Sequence, residues 1–217
     1  MSKLYPWPQR LLMLLTGVLV TECGSQLFVA LDIGADPFMV LVQGVSRTAG
    51  VSYGTSTTII MLLSLVVIVF TDRRHIRPGT IFTMFCTGPI VDFYAGIFSR
   101  VVPGTRPMAL TLVLVALGCV IVGIGIGISV RSGAGACPND LLPVIADEKF
   151  PRLQLRWARM LWDACCIAAG FCMGGTLGIG TIIALTLYGP CLQFFLPVAH
   201  TISRLLHLPT QTPSEST

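Results

Sequence analysis

The chain has 217 residues, of which 53% are hydrophobic and only 11% charged. This composition excludes an ordinary soluble domain and indicates an integral membrane protein. The net charge of +4 needs no nucleic-acid partner, because the basic residues gather near the ends of the apolar stretches, where anionic lipid headgroups would lie.

Six stretches are long and apolar enough to cross a bilayer, which takes about 20 residues. The predicted spans are 10–31, 54–71, 79–98, 107–130, 157–174 and 179–198. The last two come from an uncharged stretch, 164–203, that is about twice the length of one span, so we expect it to turn at the glycines of 173–180. The first is expected to be retained rather than cleaved, since it contains Glu22 and lacks a cleavage site.

Basic residues are divided unequally between the two predicted sides of the membrane. Assigning the loops alternately gives eleven on the side of both termini and three on the other. Cytoplasmic loops carry the excess of Lys and Arg, so both termini are expected in the cytoplasm.

Glycines recur at a spacing of 101 residues, which indicates an internal repeat. The matching pairs are Gly17 with Gly118, Gly24 with Gly125, Gly34 with Gly135, Gly79 with Gly180, and Gly88 with Gly189. Prolines agree, since Pro37 matches Pro138 and Pro89 matches Pro190, while Thr80 matches Thr181. We expect one three-helix repeat in 1–100, a second in 101–199, and a short amphipathic segment with a disordered polar tail in 200–217. Because each unit holds an odd number of spans, the second unit is expected to be inverted in the membrane.

A loop with glycine and proline follows the first span of each unit, at 33–38 and 134–140. The apolar segments 38–48 and 139–146 that come next are too short to span, so they are predicted to be re-entrant or interfacial half-helices. In inverted units, their N-termini would face a common centre and offer free N–H groups to a ligand. The alternative is that each loop merely turns the chain, with Asp36 as a helix N-cap.

These motifs resemble the YczE/YitT-type family of small bacterial membrane proteins. The resemblance rests on six spans in this length and on the motifs Gly34-Ala35-Asp36-Pro37, Gly178-Ile179-Gly180-Thr181 and Gly189-Pro190 with Gln193. It covers most of the chain up to about residue 198 and implies a multi-pass location in the bacterial inner membrane with a transport-like role. It implies no particular substrate.

Glu22 is the acid nearest the middle of a predicted span, and Gln26 follows one turn later on the same face. An ionisable residue within a span suggests a pathway or proton relay. The alternative is a carboxyl that only hydrogen-bonds to a neighbouring helix. Asp92 and Gln193 form a second pattern, each three residues after a proline within a span, although Asp92 would equally fit an end of its span in contact with water.

The second loop and the span that follows it carry further polar residues. Asp163 stands four residues after Arg159, which is the spacing of a local salt bridge as well as of a site. The predicted solute or proton site comprises Glu22, Gln26, Asp36, Asp92, Arg131, Cys137, Asn139, Asp140, Asp163 and Gln193.

The sequence therefore favours an all-α secondary transporter for a small polar or zwitterionic solute, with a central cavity between inverted halves. Glu22 is expected to take up protons there, with Asp92 as a second candidate. A passive channel and a non-transporting scaffold or regulator remain open alternatives. No enzyme activity, cofactor or metal is expected, because the three histidines lie outside the spans and form no catalytic or metal-binding pattern. A homo-oligomer remains open as well, since Gly123-x-x-x-Gly127 allows close helix contacts within one protomer or between two.

Overall fold

The computed structural model describes residues 7–102, 107–150, 155–183 and 185–186, except for the side chains at 131, 155 and 156. Within these ranges the chain is helical and contains no strand. The helices are α1 (Trp7–Leu31), α2 (Pro37–Ala49), α3 (Tyr53–Thr71), α4 (Pro78–Val101), α5 (Met108–Arg131), α6 (Pro138–Lys149) and α7 (Leu155–Cys172). A 3-10 turn, Arg73–His75, precedes α4, and residues 179–183 are again helical.

Four of these helices, α1, α3, α4 and α5, are long and apolar enough to cross a membrane. They coincide with the first four predicted spans, so the chain is an all-helical membrane protein in the part that the structure describes. The fifth predicted span, 157–174, is present as α7, but α7 is not among the four. It carries Arg156, Arg159 and Asp163, which lower its hydropathy. The predicted sixth span, 179–198, lies largely outside the described residues, and so does the tail, 200–217.

The two predicted short helices exist and are slightly longer than the apolar segments that indicated them. Pro37 and Pro138 occupy the first turns of α2 and α6, where a missing N–H costs nothing. Asp36 caps α2, because its Oδ1 accepts a hydrogen bond of 3.0 Å from the N–H of Met39. The helix ends at Gly50, whose φ of 66° lies in the left-handed region that glycine adopts without strain.

The helices α1 and α5 pack against each other in opposite directions. A Cβ added at Gly17 would lie 2.9 Å from the carbonyl oxygen of Gly125, and one added at Gly24 would lie 2.8 Å from that of Gly118. As residue numbers rise along α1 they fall along α5, so the pair is antiparallel. Glycine is needed at these positions because any side chain would separate the two backbones.

Short helices of one half pack on long helices of the other. The helix α2 packs on α7, and α3 packs on α6, while α1 contacts both α4 and α5. The α2–α7 contact is again made by glycines, since a Cβ added at Gly44 would lie 2.6 Å from the carbonyl oxygen of Gly170. The two halves are therefore interlocked rather than placed side by side.

Candidate functional site

The middle of α1 presents a polar face to the interior. Glu22 is partly buried, and its Oε2 is buried without a hydrogen-bond partner among the described residues. One turn later, Gln26 is only 1% exposed. Its Nε2 donates a hydrogen bond of 3.7 Å to the sulfur of Met39. Its Oε1 has no partner in the described part of the chain.

The N-terminus of α2 reaches this face. Ser25 of α1 lies beside the Asp36 carboxyl, and Gln26 contacts Met39 of the first turn. Residues 25 and 26 lie well inside α1, so the chain turns back after Leu31 and α2 begins level with the interior of that helix. The N–H of Met39 is bonded to Asp36. The sequence had suggested that the start of α2 offers free N–H groups to a ligand. The structure shows the alternative for Met39, because Asp36 caps the helix and accepts the hydrogen bond from that N–H.

The second half supplies its residues from the start of α6 and from α7. Arg159 Nη1 donates to Asp140 Oδ1 at 2.8 Å, and its Nε lies 3.4 Å from Asp163 Oδ1. Trp162 Nε1 donates to Asn139 Oδ1 at 2.8 Å. The local ion pair between Arg159 and Asp163 is thus present, but Arg159 also ties α7 to the first turn of α6.

These two groups of residues lie within electrostatic reach of each other. The carboxyl of Glu22 interacts electrostatically with Asp36 and Asp140, and that of Asp36 interacts with Asp163 and Arg159. We call Glu22, Asp36, Asp140, Asp163 and Arg159 the central cluster. It joins the N-termini of both half-helices to the middle of α1, and it contains four carboxyl groups for one guanidinium group.

The central cluster is open on one flank and closed on the other. The side chains of Arg159 and Asp140 are 43% and 46% exposed, and that of Asp163 is 19% exposed. Gln26 and Asp36 are buried. The cluster thus leads from an accessible flank beside the first turns of α7 to the buried face of α1.

A cavity of about 320 Å³ lies elsewhere, between the end of α1 and the start of α5. Its lining includes Asp32, Gly34, Leu112 and Thr176, and no residue of the central cluster. This cavity is therefore separate from the central cluster.

Cys137 is the counterpart of Asp36, since each immediately precedes a half-helix. The Cys137 thiol makes no capping hydrogen bond to α6. It lies instead against Thr83 and Thr87 of α4 and within electrostatic reach of Glu22 and Asp140. Cys137 therefore borders the central cluster.

Asp92 lies apart from these residues. Its Oδ2 accepts a hydrogen bond of 2.7 Å from Ser52 Oγ, and its Oδ1 accepts one of 2.7 Å from the N–H of Gly54. Asp92 is exposed, and these bonds fasten α4 to the N-terminus of α3. The structure therefore gives this carboxyl a capping position and does not bring it to the central cluster.

The motif residues of the two loops contact each other across the halves. Gly180 donates its N–H to the carbonyl of Ile33 at 2.9 Å, and Gly79 donates to Ala134 at 3.2 Å. Gly34 and Gly135 have φ values of 120° and 140°, and Thr80 and Thr181 are buried beside them. Gly88 of α4 packs against Gly54 of α3. The residue after it, Pro89, lies inside α4. The remaining predicted residues, Gly189, Pro190 and Gln193 and the side chain of Arg131, lie outside what the structure describes.

The sequence did not indicate three polar residues, of which two lie beside the residues of the site and the third joins the two halves elsewhere. Ser25, which lies beside the Asp36 carboxyl, stands in the sequence between the predicted residues Glu22 and Gln26. Trp162, which donates to Asn139, immediately precedes the predicted residue Asp163. Gln43, only 4% exposed, accepts hydrogen bonds from the N–H and Oγ1 of Thr176 and so joins α2 to the second half. A polar residue in the middle of an apolar half-helix was the pattern that would have indicated it.

One group of side chains has the spacing of metal ligands, and it lies outside the central cluster. Ligand atoms of Asp72, His75 and Glu148 lie within 4.8 Å of one another, with His75 Nε2 3.1 Å from Glu148 Oε1. Glu148 is exposed, and these contacts join the 3-10 turn to the end of α6.

The chain is similar to three bacterial proteins whose functions are uncharacterised. One, from Haemophilus influenzae, is 26% identical over 198 residues, covering 90% of this chain and 86% of the relative. From Bacillus subtilis, YyaS is 26% identical over 191 residues (87% and 94%), and the membrane protein YczE is 28% identical over 187 residues (86% and 82%). No solved structure matches the chain.

The family comparison covers nearly all of the predicted membrane region. Residues 8–197 match DUF6198, a family of unknown function. Together with the similarity to YczE, this match confirms the resemblance that the repeated glycine motifs indicated. The chain belongs to the DUF6198 family and is a YczE-type membrane protein.

Proposed function

We propose that this protein is a secondary transporter, in which a small polar solute crosses the membrane through the central cluster and Glu22 couples its movement to protons. The observation that carries the proposal is that carboxyl groups at the N-termini of both half-helices lie within electrostatic reach of Glu22, whose Oε2 is buried and unpartnered among the described residues of an apolar helix bundle. Ionisable groups at such depth are costly, so they mark pathways more often than packing.

We further propose that the halves are inverted three-helix repeats with six spans in all. Equivalent helices support this, since α5 begins 101 residues after α1, α6 begins 101 after α2, and α7 begins 102 after α3. The antiparallel packing of α1 on α5 is what a twofold axis in the membrane plane requires. The helical residues 179–183 begin where a counterpart of α4 would begin.

The location proposed for this arrangement is the inner membrane of a bacterium, with both termini in the cytoplasm. The excess of basic residues on the side of the termini supports that orientation.

A carrier fits the site better than a passive channel or a scaffold. The central cluster is accessible at Arg159 and Asp140 but buried at Asp36, and Gln26 beside it is buried as well. A carrier must close its site on at least one side, whereas an open pore would be accessible from end to end. A scaffold would not need an unpartnered Glu22 oxygen in its interior, where an unmade hydrogen bond costs about 1–3 kcal/mol.

Glu22 is suited to proton coupling by its place between the two halves. Its neighbours Asp36 and Asp140 belong to different half-helices, so movement of either half-helix changes the electrostatic field at the Glu22 carboxyl. Such a change would make Glu22 take up a proton in one arrangement and release it in another. Proton movement and solute movement would then share one structural change.

The test uses purified protein in vesicles that enclose a pH-sensitive dye. Small amines, amino acids and carboxylates are added one at a time, and proton flux is recorded together with transient currents on a supported membrane. We expect at least one solute class to produce a saturable, pH-dependent current that Glu22→Gln abolishes. Asp92→Asn is the matched control, because Asp92 is a carboxyl of the same bundle outside the central cluster.

The proposal fails if no solute of the panel produces a saturable flux in vesicles holding folded protein. The coupling role of Glu22 fails separately if Glu22→Gln transports at the normal rate with unchanged pH dependence. Linear, unsaturable conductance that ignores the proton gradient would favour the channel.

A further inference from the structure

We propose that the ligand of the central cluster is a small organic cation with N–H donors, namely a protonated amine, which binds between Glu22 and Asp36 with Gln26 Oε1 as a further acceptor. This inference rests on the proposed function, because it names the solute class of the same site. Binding can nevertheless be measured without transport.

Charge is the first argument. The central cluster holds four carboxyl groups and one guanidinium group, and Arg159 already pairs with Asp140 and Asp163. Neither Glu22 nor Asp36 forms an ion pair with any side chain that the structure describes. A cationic ligand would supply the missing positive charge on the buried side of the cluster.

Gln26 provides an independent argument. Its side chain is 99% buried, yet its Oε1 has no hydrogen-bond partner in the described ranges. The Nε2 of the same amide lies 3.7 Å from the sulfur of Met39, whose N–H is bonded to Asp36, so the amide group lies beside the start of α2. A buried acceptor without a donor is unfavourable, and an N–H group on a ligand would satisfy it.

The arrangement does not suit an anion. An unprotected helix N-terminus attracts anions through its free N–H groups and its dipole. Here Asp36 caps α2, and Asp140 lies in the first turn of α6. The start of α2 is thus capped by a carboxyl group, and the start of α6 carries one in its first turn.

Nor does the arrangement suit a bare metal ion. Mg²⁺ and Ca²⁺ need about six or more oxygen ligands converging at about 2.0–2.6 Å. Among the described residues, the only three carboxylate, histidine or thiol groups with ligand atoms within 4.8 Å of one another are those of Asp72, His75 and Glu148. No three carboxyl groups of the central cluster bring ligand atoms within 4.8 Å of one another, and an ammonium group, whose three N–H donors point in different directions, does not require such a convergence.

The experiment measures binding to purified protein in detergent by calorimetry, with thermal unfolding as a second readout. The probes are n-butylamine, 4-aminobutyrate, butyrate, tetramethylammonium and MgCl₂, so that charge, N–H donors and metal are varied one at a time. We expect saturable binding of n-butylamine, and binding of 4-aminobutyrate and tetramethylammonium that is at least about tenfold weaker. Butyrate and MgCl₂ should not bind.

Two variants locate the ligand. Gln26→Leu keeps the size of the side chain but removes the acceptor, and Glu22→Gln removes the charge with little change of shape. Each should weaken n-butylamine binding about tenfold or more, while Asp92→Asn should bind as the unchanged protein does. Because Glu22→Gln is the milder change, it provides the test if Gln26→Leu fails to fold.

The inference is overturned if butyrate or MgCl₂ binds more tightly than n-butylamine, if 4-aminobutyrate does so, or if both variants bind n-butylamine normally. These failures differ from failure of the proposed function. Tight n-butylamine binding without flux in vesicles would remove transport and keep the ligand class. Flux of a carboxylate would keep transport and remove the ligand class.

Discussion

A Cβ added at Gly34 would lie 2.8 Å from the backbone nitrogen of Thr181, although the two residues belong to different halves of the chain. The counterpart contact is almost the same, since a Cβ added at Gly135 would lie 2.9 Å from the nitrogen of Thr80. Both glycines have φ values that side chains rarely adopt. Glycine is therefore required twice, by the conformation of each loop and by the proximity of the other half.

Replacing either glycine should destabilise the protein. Gly34→Ala and Gly135→Ala are each expected to cost about 1–3 kcal/mol, because the new methyl group adds a steric clash to an unfavourable φ. The measurement is thermal unfolding in detergent, where each kcal/mol corresponds to about 2–4 °C for a protein of this size. Gly96→Ala is the control, since nothing lies within 4 Å of a Cβ there. Equal melting temperatures for Gly34→Ala and Gly96→Ala would contradict the close packing of the loops.

Asp92 should matter for stability rather than for coupling. Asp92→Ala removes the acceptor of Ser52 Oγ and of the Gly54 N–H, so we expect a loss of about 1 kcal/mol. Asp92→Asn keeps one acceptor and should lose less. Neither variant should alter the pH dependence of flux in vesicles, and a clear change in that dependence would return Asp92 to the pathway.

The ion pair between Arg159 and Asp140 should contribute little to stability. Both side chains are more than 40% exposed, and such pairs contribute roughly 0.2–1 kcal/mol. A double-mutant cycle with Arg159→Met and Asp140→Asn, followed by chemical or thermal unfolding, measures this coupling. The sign should be stabilising and the size about 1 kcal/mol or less. A coupling several times larger would show that the pair is shielded from solvent and that the accessible flank is closed.

The topology is testable without any solute. Reporter fusions at Pro103 and at the C-terminus should lie on opposite sides of the membrane, because three spans are predicted after Pro103. If both reporters are found on one side, the number of spans in the second half is even and the halves are not inverted repeats.

Helix positions could be predicted from the sequence because they depend on local patterns. The apolar lengths gave α1, α3, α4 and α5, and the repeated proline after a glycine loop gave the starts of α2 and α6. The fifth span was harder to assess, since α7 carries Arg159 and Asp163 on a helix of only moderate hydropathy.

Contacts between distant segments could not be read in the same way. Nothing near Asp92 in the sequence indicates that it binds the N-terminus of α3, which lies 38 residues away at Gly54. Likewise, the pairing of Arg159 with Asp140 depends on how α7 crosses α6, and only the local pair with Asp163 follows from spacing. The counterpart of Glu22 in the second half is Gly123, so the sequence shows that the halves differ there, but the concentration of acids around one arginine appears only when the helices are packed.

The interlocked helices also constrain how the protein is made. During synthesis α1, α2 and α3 leave the ribosome well before α5, α6 and α7, which are the helices they pack against. Until the second half is inserted, Gly24 and Gly44 lack the backbones of α5 and α7 that they pack against. The packing of the first half is therefore completed only by the helices that are inserted last.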